Sequence, residues 1–426
     1  MAQALSKFLI FAVLLFAAMM ARGNDNWPQF RGANWDAHSD STGLATEWSE
    51  SKNVKWKTVL PGEGWSSPVI WAGQIWMSTA LDQGHSLRVL CVDQTSGKIV
   101  HDIEVFHVEH PPPKHEFNSY ASPTCVLEAG RVYACFGTCG SACLDSFTGK
   151  PIWVNHELTC DHLNGPGSSP IIFENLYLLC CDGVDVQYVA ALDKNTGKLA
   201  WKTERTFDHH AMAPDLRKAY NTPLVVHYDG RDELISVGAH RFYCYDVHTG
   251  QELWYCDQPG FSCVSQPLFA DGVAYLSSGF GKADLWAIRA DGSGDVGKTH
   301  VMWKFKRGTP CRSTPLLLDI EGKRRIFMTT DNGITHLVDA ITGEPIWQKR
   351  IGYGFSASPL YADGSIWCFD EKGTSTVIKA SDELQIVAEN HLDDGCMGTP
   401  AISGKALFIR TKTSLYCIER PITGRF

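Results

Sequence analysis

A dipeptide consisting of Ser or Thr followed by Pro recurs along this chain at intervals of roughly 41 to 55 residues. Seven copies occur, and Gln266-Pro267 fills the remaining slot: Ser67-Pro68, Ser122-Pro123, Ser169-Pro170, Thr222-Pro223, Thr314-Pro315, Ser358-Pro359 and Thr399-Pro400. A period of this length is typical of propellers and solenoids, in which each unit buries its apolar faces against its neighbours. The repeat therefore predicts eight similar units.

Each unit follows the same order of local signals. The dipeptide precedes an apolar pair, a Gly-containing turn and a β-rich run with a fixed aromatic residue. A third run ends in a Cys/Ala-hydrophobe-Asp tripeptide such as 191–193, and a Thr-Gly turn then leads to a Trp, as from Thr196 to Trp201. Four short strands separated by such turns are typical of a propeller blade. The predicted fold is an all-β, eight-bladed β-propeller with four-stranded antiparallel blades.

The two ends of the repeat array complement each other. The last unit, residues 396–420, supplies three strands and lacks its Trp strand, while an unassigned strand carrying Trp56 lies at 53–58. We predict that this N-terminal strand completes the last blade and closes the ring, because closure removes exposed sheet edges. The predicted organisation is an N-terminal extension at 24–47 and a single propeller at 48–426.

The first residues, Met1 to Gly23, contain Lys7, an apolar run from 8 to 20 and small residues at the end. This pattern predicts a secretory signal peptide and an exported chain, periplasmic or extracellular. No later segment is apolar enough for a transmembrane anchor. The formal net charge of −9, without a basic cluster, argues against nucleic acid as a partner.

A tryptophan at the same place in most units predicts a structural role between adjacent sheets. Burying such a ring is worth roughly 2 to 3 kcal/mol. The predicted docking residues are Trp56, Trp153, Trp201, Trp254, Trp303 and Trp347.

The run Ala191-Leu192-Asp193-Lys194-Asn195-Thr196-Gly197-Lys198-Leu199-Ala200-Trp201 resembles the tryptophan-docking repeat of quinoprotein propellers, which are also called PQQ-like propellers. That family contains pyrroloquinoline quinone (PQQ) dehydrogenases and a non-catalytic branch that includes the propeller of outer-membrane protein assembly. The opening Trp27-Pro28-Gln29-Phe30-Arg31-Gly32 resembles exported PQQ-like proteins of planctomycete-type bacteria. For a catalytic member the resemblance implies Ca²⁺ held by Glu and Asn and a catalytic Asp. No residue here matches those positions, so we predict no catalytic residue, no metal and no cofactor.

Fifteen cysteines raise the question of disulfides. Cys180-Cys181 is similar to the vicinal disulfide found over the quinone in some dehydrogenases, but successive residues of a strand point to opposite faces. Cys263, Cys311 and Cys396 each precede the repeat Pro by four residues. Blades five and six are neighbours, so Cys263 and Cys311 are a candidate disulfide if their Cα atoms lie within about 7 Å. A soft-metal site using all three thiols is the alternative.

Segments that enter the innermost strand are expected at the mouth of the channel. Aromatic rings, amides and one guanidinium there suit a polar organic ligand, a carbohydrate or a peptide. The alternative is that these side chains only fill the mouth. The predicted ligand-binding residues are Trp65, Tyr120, Tyr220, Asn221, Arg312, Phe355, Ser356 and Met397.

These features predict an exported, non-catalytic binding or scaffold propeller that contacts a protein partner or a small polar ligand through its loop faces and channel mouth. The first alternative is a quinoprotein dehydrogenase dependent on PQQ and Ca²⁺. The second alternative is a carbohydrate-binding propeller. The fold by itself does not separate these functions.

Overall fold

The computed structural model describes residues 25–281 and 283–421. The predicted signal peptide, Met1 to Gly23, lies outside the described residues. These residues form eight antiparallel four-stranded sheets, the blades, with a short parallel strand added to blades four and seven. The described residues contain no helix long and apolar enough to cross a membrane.

The blades follow one another along the chain, each with its first strand innermost and its fourth strand outermost. Blades one and two comprise Val69–Trp71, Gln74–Leu81, Ser86–Asp93 and Ile99–His107, then Val126–Glu128, Arg131–Cys135, Ser141–Asp145 and Pro151–Asn155. Blades three and four comprise Ile171–Phe173, Leu176–Asp182, Gln187–Asp193 and Leu199–Glu204, then Leu224–Tyr228, Arg231–Gly238, Arg241–Asp246 and Glu252–Asp257. The lengthened turn of blade five adds Gly294–Asp295 in parallel to the outer edge of blade four.

The second half repeats this arrangement. Blades five and six comprise Leu268–Ala270, Val273–Ser277, Leu285–Arg289 and Val301–Phe305, then Leu316–Ile320, Lys323–Thr329, Ile334–Asp339 and Pro345–Arg350. Blade seven comprises Leu360–Ala362, Ser365–Phe369, Thr374–Lys379 and Ile386–His391, and blade eight comprises Ala401–Ser403, Ala406–Arg410, Ser414–Ile418 and Val54–Val59. The N-terminal strand Val54–Val59 pairs with Ser414–Ile418, which confirms the predicted closure of the ring.

The repeated Ser or Thr links each blade to the next. Its backbone N–H donates to the corresponding hydroxyl of the following blade, as from Thr314 to Ser358 Oγ at 2.9 Å and from Ser358 to Thr399 Oγ1 at 2.9 Å. We call these residues the hydroxyl ring. Its members are Ser67, Thr124, Ser169, Thr222, Thr314, Ser358 and Thr399. Gln266 takes the eighth place and donates its side-chain amide to Pro223 O at 3.0 Å.

In blade two the structure corrects the alignment of the repeat. Thr124 Oγ1, rather than Ser122, accepts the N–H of Ser67 at 3.0 Å, and the first strand begins two residues after Thr124, at Val126. The Ser122 hydroxyl instead donates to Asn118 Oδ1 at 2.6 Å. Ser122-Pro123 therefore matches the repeat in sequence, but Thr124 occupies the structural position of the repeat.

The Thr-Gly turns place the docking tryptophans between blades. In blade three Asp193 Oδ1 accepts the N–H and the hydroxyl of Thr196, both at 2.8 Å, which fixes the turn. Gly197 has φ +70°, and a Cβ added there would lie 2.7 Å from the ring of Trp153 in blade two. The Trp153 indole N–H donates to Lys194 O at 2.8 Å. Trp153 thus packs on the turn of the following blade, and the turn glycines Gly97, Gly250 and Gly343 lie against Trp56, Trp201 and Trp303 in the same way.

Four of the six predicted tryptophans make this indole bond to the next blade: Trp56, Trp153, Trp201 and Trp303. Trp254 and Trp347 pack against hydrophobic clusters, but their indole nitrogens have no hydrogen-bond partner among the described residues. Their neighbours are blades five and seven, where the turn is lengthened or has lost the Thr-Gly sequence. The altered turn removes the carbonyl acceptor.

The segment before the propeller crosses the end of the channel opposite the mouth. Trp27 exchanges two backbone hydrogen bonds with Ile70 of blade one, at 2.8 and 2.7 Å. Further along, Trp35 packs against hydrophobic clusters of blades three to five, on the other side of the ring, and His38–Ser39 then pairs in parallel with blade seven. Residues 27–39 therefore span the channel, and we call them the plug.

Candidate functional site

The plug closes one end of the central channel. Arg31 is fully buried, and its guanidinium donates to Thr314 O at 3.1 Å and to Pro315 O at 2.9 Å. Phe30, the preceding residue, faces the cavity on the other side of the plug. In the described part of the chain, the plug therefore leaves the channel open at the mouth and closed at the other end.

The mouth opens into a cavity of about 680 Å³. The segments that lead into the innermost strands supply most of its wall. The lining residues are Phe30, Trp65, Ser67, His115, Phe117, Asn118, Ser122, Thr124, Asn164, Gly167, Ser169, Asp215, Lys218, Tyr220, Thr222, Phe261, Ser262, Val264, Phe280, Cys311, Arg312, Asp331, Ser356, Met397, Gly398 and Thr399. A space of this size accommodates a small organic molecule or a short peptide segment.

Aromatic rings form two sides of the cavity. On one side the Trp65 indole N–H donates to Phe117 O at 3.1 Å, which satisfies its polar atom and leaves the ring for contact. On the other side Phe261 and Phe280 meet edge to face, with their ring centroids 5.7 Å apart. Phe117 and Phe280 are 41% and 59% exposed. Exposed aromatic rings around a concave site favour a ligand or a partner surface.

The cations of the cavity wall are already paired. Lys218 is buried and bonds to the Asp215 carboxylate and to Asp215 O. Arg312 contacts Asp331 Oδ1 at 3.2 Å and Glu371 Oε1 at 3.1 Å, and its guanidinium lies 4.4 Å from the centroid of Phe117. These contacts fix both side chains and offset their two positive charges with three carboxylates.

Five of the eight predicted mouth residues line this cavity: Trp65, Tyr220, Arg312, Ser356 and Met397. The other three lie elsewhere. Asn221 is buried, where it donates to Ser265 O at 2.7 Å and accepts the Val237 N–H at 3.0 Å. Phe355 is 1% exposed and belongs to the hydrophobic core. Tyr120 packs beneath Gly84 and Lys114, outside the cavity lining.

Sequence reasoning missed several residues of the wall. Lys218, Phe261 and Phe280 lie in loops whose length and sequence vary between units, so the repeat gives no position for them. Phe30 belongs to the plug, which the repeat does not include. The aromatic pair of Phe117 with Trp65 could have been suspected, since both lie in segments that lead into an innermost strand.

The cysteines are free thiols in this structure. The candidate pair Cys263 and Cys311 is not bridged. Cys263 Sγ lies 3.2 Å from Ser278 O, while Cys311 lines the edge of the cavity. Cys180 and Cys181 point to opposite faces of their strand, and Cys180 Sγ lies 3.3 Å from Ser236 Oγ. Neither of these adjacent thiols lines the cavity.

A family model described as outer membrane protein assembly factor BamB matches residues 37–293. The chain belongs to this family. A quinoprotein ethanol dehydrogenase of Pseudomonas aeruginosa is 32% identical to this BamB-family chain over 143 residues, which are 30% of the chain and 22% of the dehydrogenase. The match thus spans less than a quarter of that enzyme.

Solved structures share the fold of this BamB-family chain. BamB from Moraxella catarrhalis superposes with a TM-score of 0.60 at 14% identity, covering 88% of this chain and 99% of that one. Quinohemoprotein alcohol dehydrogenase from Comamonas testosteroni gives 0.65 at 11% identity, covering 96% and 84%. A europium-containing methanol dehydrogenase gives 0.64 at 10% identity, covering 91% and 89%. The same propeller architecture thus occurs in BamB and in quinone enzymes.

The dehydrogenase relatives raise the question of whether PQQ and Ca²⁺ fit this BamB-family cavity. The carboxylates of Asp215 and Asp331 bind Lys218 and Arg312, so they are not free to hold a calcium ion. Among residues 25–281 and 283–421, no group of three or more His, Cys, Asp or Glu side chains is placed to hold a metal. Since the wall cations are also paired, the residues present do not fit the calcium complex of a tricarboxylate cofactor.

Proposed function

We propose that this BamB-family propeller is a non-catalytic binding protein of the cell envelope, which seats a small polar ligand or a segment of a protein partner in its mouth. The observation that carries this proposal is the blind, aromatic-walled cavity, whose cations and carboxylates are paired with each other. Exposed rings remain available for contact.

The location of the exposed aromatic residues supports the mouth as the working face. Phe117, Phe280 and Tyr353 are 41%, 59% and 65% exposed, and all three lie in segments at the mouth end of their blades. Lys372 lies 4.4 Å from the centroid of Tyr353. A rim of this kind would place a partner's apolar side chains over the cavity.

Site-specific photo-crosslinking tests the working face. A photoreactive phenylalanine at Phe280 should form adducts in envelope fractions of the native cells. Phe147 is the matched control, because it is a phenylalanine that is 73% exposed and lies in the turn between Asp145 and Pro151, at the opposite end of its blade. Equal adducts at both positions, or adducts at Phe147 alone, would contradict the mouth as the binding face.

Thermal unfolding with PQQ and Ca²⁺ tests the absence of quinone chemistry. A ligand at a hundred times its dissociation constant adds about 2.7 kcal/mol to the free energy of unfolding. We expect no shift of the unfolding midpoint at high concentrations of both. A clear, calcium-dependent shift would overturn the proposal and would make dye-linked oxidation of alcohols the next assay.

A carbohydrate is the second candidate ligand, because the Trp65 ring lines the cavity with its indole N–H already bonded. An aromatic face of this kind can stack on a sugar ring. If an oligosaccharide binds, Trp65→Ala should weaken its affinity about tenfold or more, equivalent to roughly 1.4 kcal/mol. Unchanged affinity in this variant would exclude stacking on Trp65.

A further inference from the structure

Five members of the hydroxyl ring form the base of the mouth cavity: Ser67, Thr124, Ser169, Thr222 and Thr399. Each is 4% exposed or less. Each side-chain oxygen accepts one backbone N–H at 2.9 to 3.1 Å. Among the described residues, none of these five hydroxyls donates its proton to a protein acceptor.

The hydroxyl ring is therefore a set of fixed, unused donors. A hydroxyl group carries one proton and two lone pairs, and here one lone pair is taken by the N–H of the preceding blade. That bond fixes the position of the oxygen, and in the five members that line the cavity the O–H remains available to a ligand. Several O–H donors around one space favour a group rich in acceptor oxygens over one rich in donors.

Two buried guanidinium groups adjoin the hydroxyl ring without a carboxylate hydrogen-bond partner. Arg410 donates to Ser66 O at 3.0 Å and to Ser78 O at 2.9 Å, and also to Ser66 Oγ. Arg31 donates to four backbone carbonyls. Burial lowers the pKa of Arg31 to about 9, against the opposing charge of Asp36, and lowers the pKa of Arg410 to about 10. Both remain cationic at neutral pH and make the base of the cavity electropositive.

The rim differs from the base in charge. Lys218 and Arg312 pair with three carboxylates, those of Asp215, Asp331 and Glu371, so two positive charges meet three negative ones and this part of the rim does not attract an anion by net charge. Among the described residues, the guanidiniums of Arg31 and Arg410 do not line the cavity, because the hydroxyl ring lies between them and the cavity space. This arrangement suits a singly charged oxyanion better than a doubly charged phosphate.

We propose that the five members of the hydroxyl ring that line the cavity bind a carboxylate, and that the ligand carrying it has an aromatic or apolar body that packs against Trp65 and Phe261. This inference rests on the proposed function of the mouth as a binding site. The free C-terminus of a peptide and a small organic acid share this chemistry. Both would enter with the carboxylate first and leave the rest of the molecule between the aromatic walls.

Isothermal titration with a matched pair of probes tests the charge. N-acetyl-L-tryptophan carries the carboxylate, and N-acetyl-L-tryptophanamide has the same body without it. We expect the acid to bind at least tenfold more tightly than the amide. Equal affinities, or no binding of the acid at millimolar concentration, would overturn the carboxylate proposal. A C-terminal tripeptide ending in Trp and its amide form the second arm, which distinguishes a peptide end from a free acid.

Two ring variants test the donors. Thr222→Val removes a hydroxyl that lines the cavity, and we expect it to weaken binding of the acid about tenfold while leaving the amide unchanged. Thr314→Val is the matched control: Thr314 accepts the Gln266 N–H at 2.9 Å but does not line the cavity. The Thr314→Val variant loses an acceptor for a backbone N–H, as Thr222→Val does, and should bind the acid like the wild type. Thr222→Ser should restore binding.

Equal effects of Thr222→Val and Thr314→Val would show that the ring acts through stability alone and would overturn the donor role. Failure of the carboxylate proposal is distinguishable from failure of the proposed function, because crosslinking from Phe280 does not depend on the charge of the ligand.

Discussion

The backbone N–H of Thr399 donates to Ser67 Oγ at 3.0 Å, across 332 residues of sequence. This bond joins blade eight to blade one at the inner side of the propeller and completes the hydroxyl ring. The N-terminal strand Val54–Val59 closes the propeller within blade eight, at its outer edge, where it pairs with Ser414–Ile418. The hydrogen bond between Thr399 and Ser67 lies near the channel, whereas the strand pairing of Val54–Val59 lies at the outer edge of the propeller.

Loss of the Ser67 hydroxyl should weaken this junction. Ser67→Ala leaves the Thr399 N–H buried without an acceptor, and an unpaired buried donor costs about 1 to 3 kcal/mol. We expect a lower urea midpoint, measured by tryptophan fluorescence. Ser67→Thr should recover most of the loss, since other blades place Thr at this position. A midpoint equal to the wild type in Ser67→Ala would show that the bond does not contribute to stability.

Blade two offers a test of the corrected register. Thr124→Val should lower the unfolding free energy by about 1 to 3 kcal/mol, because the Ser67 N–H loses its acceptor. Ser122→Ala should cost about 1 kcal/mol or less, since Ser122 bonds only within its own partly exposed loop. Comparison of the two urea midpoints decides between the positions. A lower midpoint for Ser122→Ala than for Thr124→Val would show that Ser122 occupies the repeat position.

The architecture was predictable because its signals are local and repeated. Turn glycines, the Asp-Thr pair and the Trp recur often enough for the period to appear in a single sequence. Closure by Val54–Val59 was also predictable, because one strand was missing at one end and unassigned at the other.

The candidate site was predictable only in part. Counting from the repeat Pro located Arg312 and Met397, but it did not reveal that Asn221 and Phe355 point into the core. The plug lies outside the repeat, so no periodic signal could place Phe30 in the channel. Those positions depend on long-range packing rather than on local pattern.

The contact between turn and tryptophan can be measured with two glycines of equal backbone conformation. Gly197 has φ +70°, with the Trp153 ring 2.7 Å from an added Cβ, while Gly364 has φ +69° and nothing within 4 Å. Alanine at either position meets the same backbone strain of about 1 kcal/mol. Gly197→Ala should lose a further 1 to 3 kcal/mol, roughly, from overpacking. Equal unfolding midpoints of the two variants would mean that the Trp153 ring moves aside without lowering the free energy of unfolding.

Thiol labelling tests the positions of the cysteines. Cys139 and Cys311 are partly exposed and the other thirteen are buried, so iodoacetamide should modify these two first in the native protein. Burial raises the pKa of Cys311 to about 12. Because the thiolate is the reactive form, labelling should be slow at pH 8 and faster at higher pH. Protection of Cys311 that is removed by reductant would instead support the candidate bridge to Cys263.

Mass spectrometry after denaturation tests the adjacent pair. Cys180 and Cys181 point to opposite faces, so both should be recovered as separately alkylated residues. A peptide lighter by two hydrogens across these residues would contradict the arrangement.

His336 should make the stability of the protein depend on pH. The ring is 1% exposed, and neither nitrogen has a hydrogen-bond partner among the described residues. Burial lowers its pKa to about 4, whereas an unfolded histidine has a pKa of about 6.5. Between these two pH values the unfolded chain binds more protons than the folded chain. The contribution of neutral His336 to the free energy of unfolding is therefore complete above about pH 6.5 and is lost as the pH falls towards 4.

The loss from His336 should reach about 2 kcal/mol at pH 5, since one pKa unit corresponds to about 1.4 kcal/mol. His336→Leu removes the titrating group and two unpaired polar atoms at similar volume. We expect the difference in unfolding free energy, variant minus wild type, to increase by about 2 kcal/mol when the pH is lowered from 7.5 to 5. Urea unfolding at several pH values measures this difference. Burial also lowers the pKa of His162 to about 4, so the variant should keep a weaker dependence of the same sign. A difference between variant and wild type that is constant with pH would show that His336 is not titrated on unfolding.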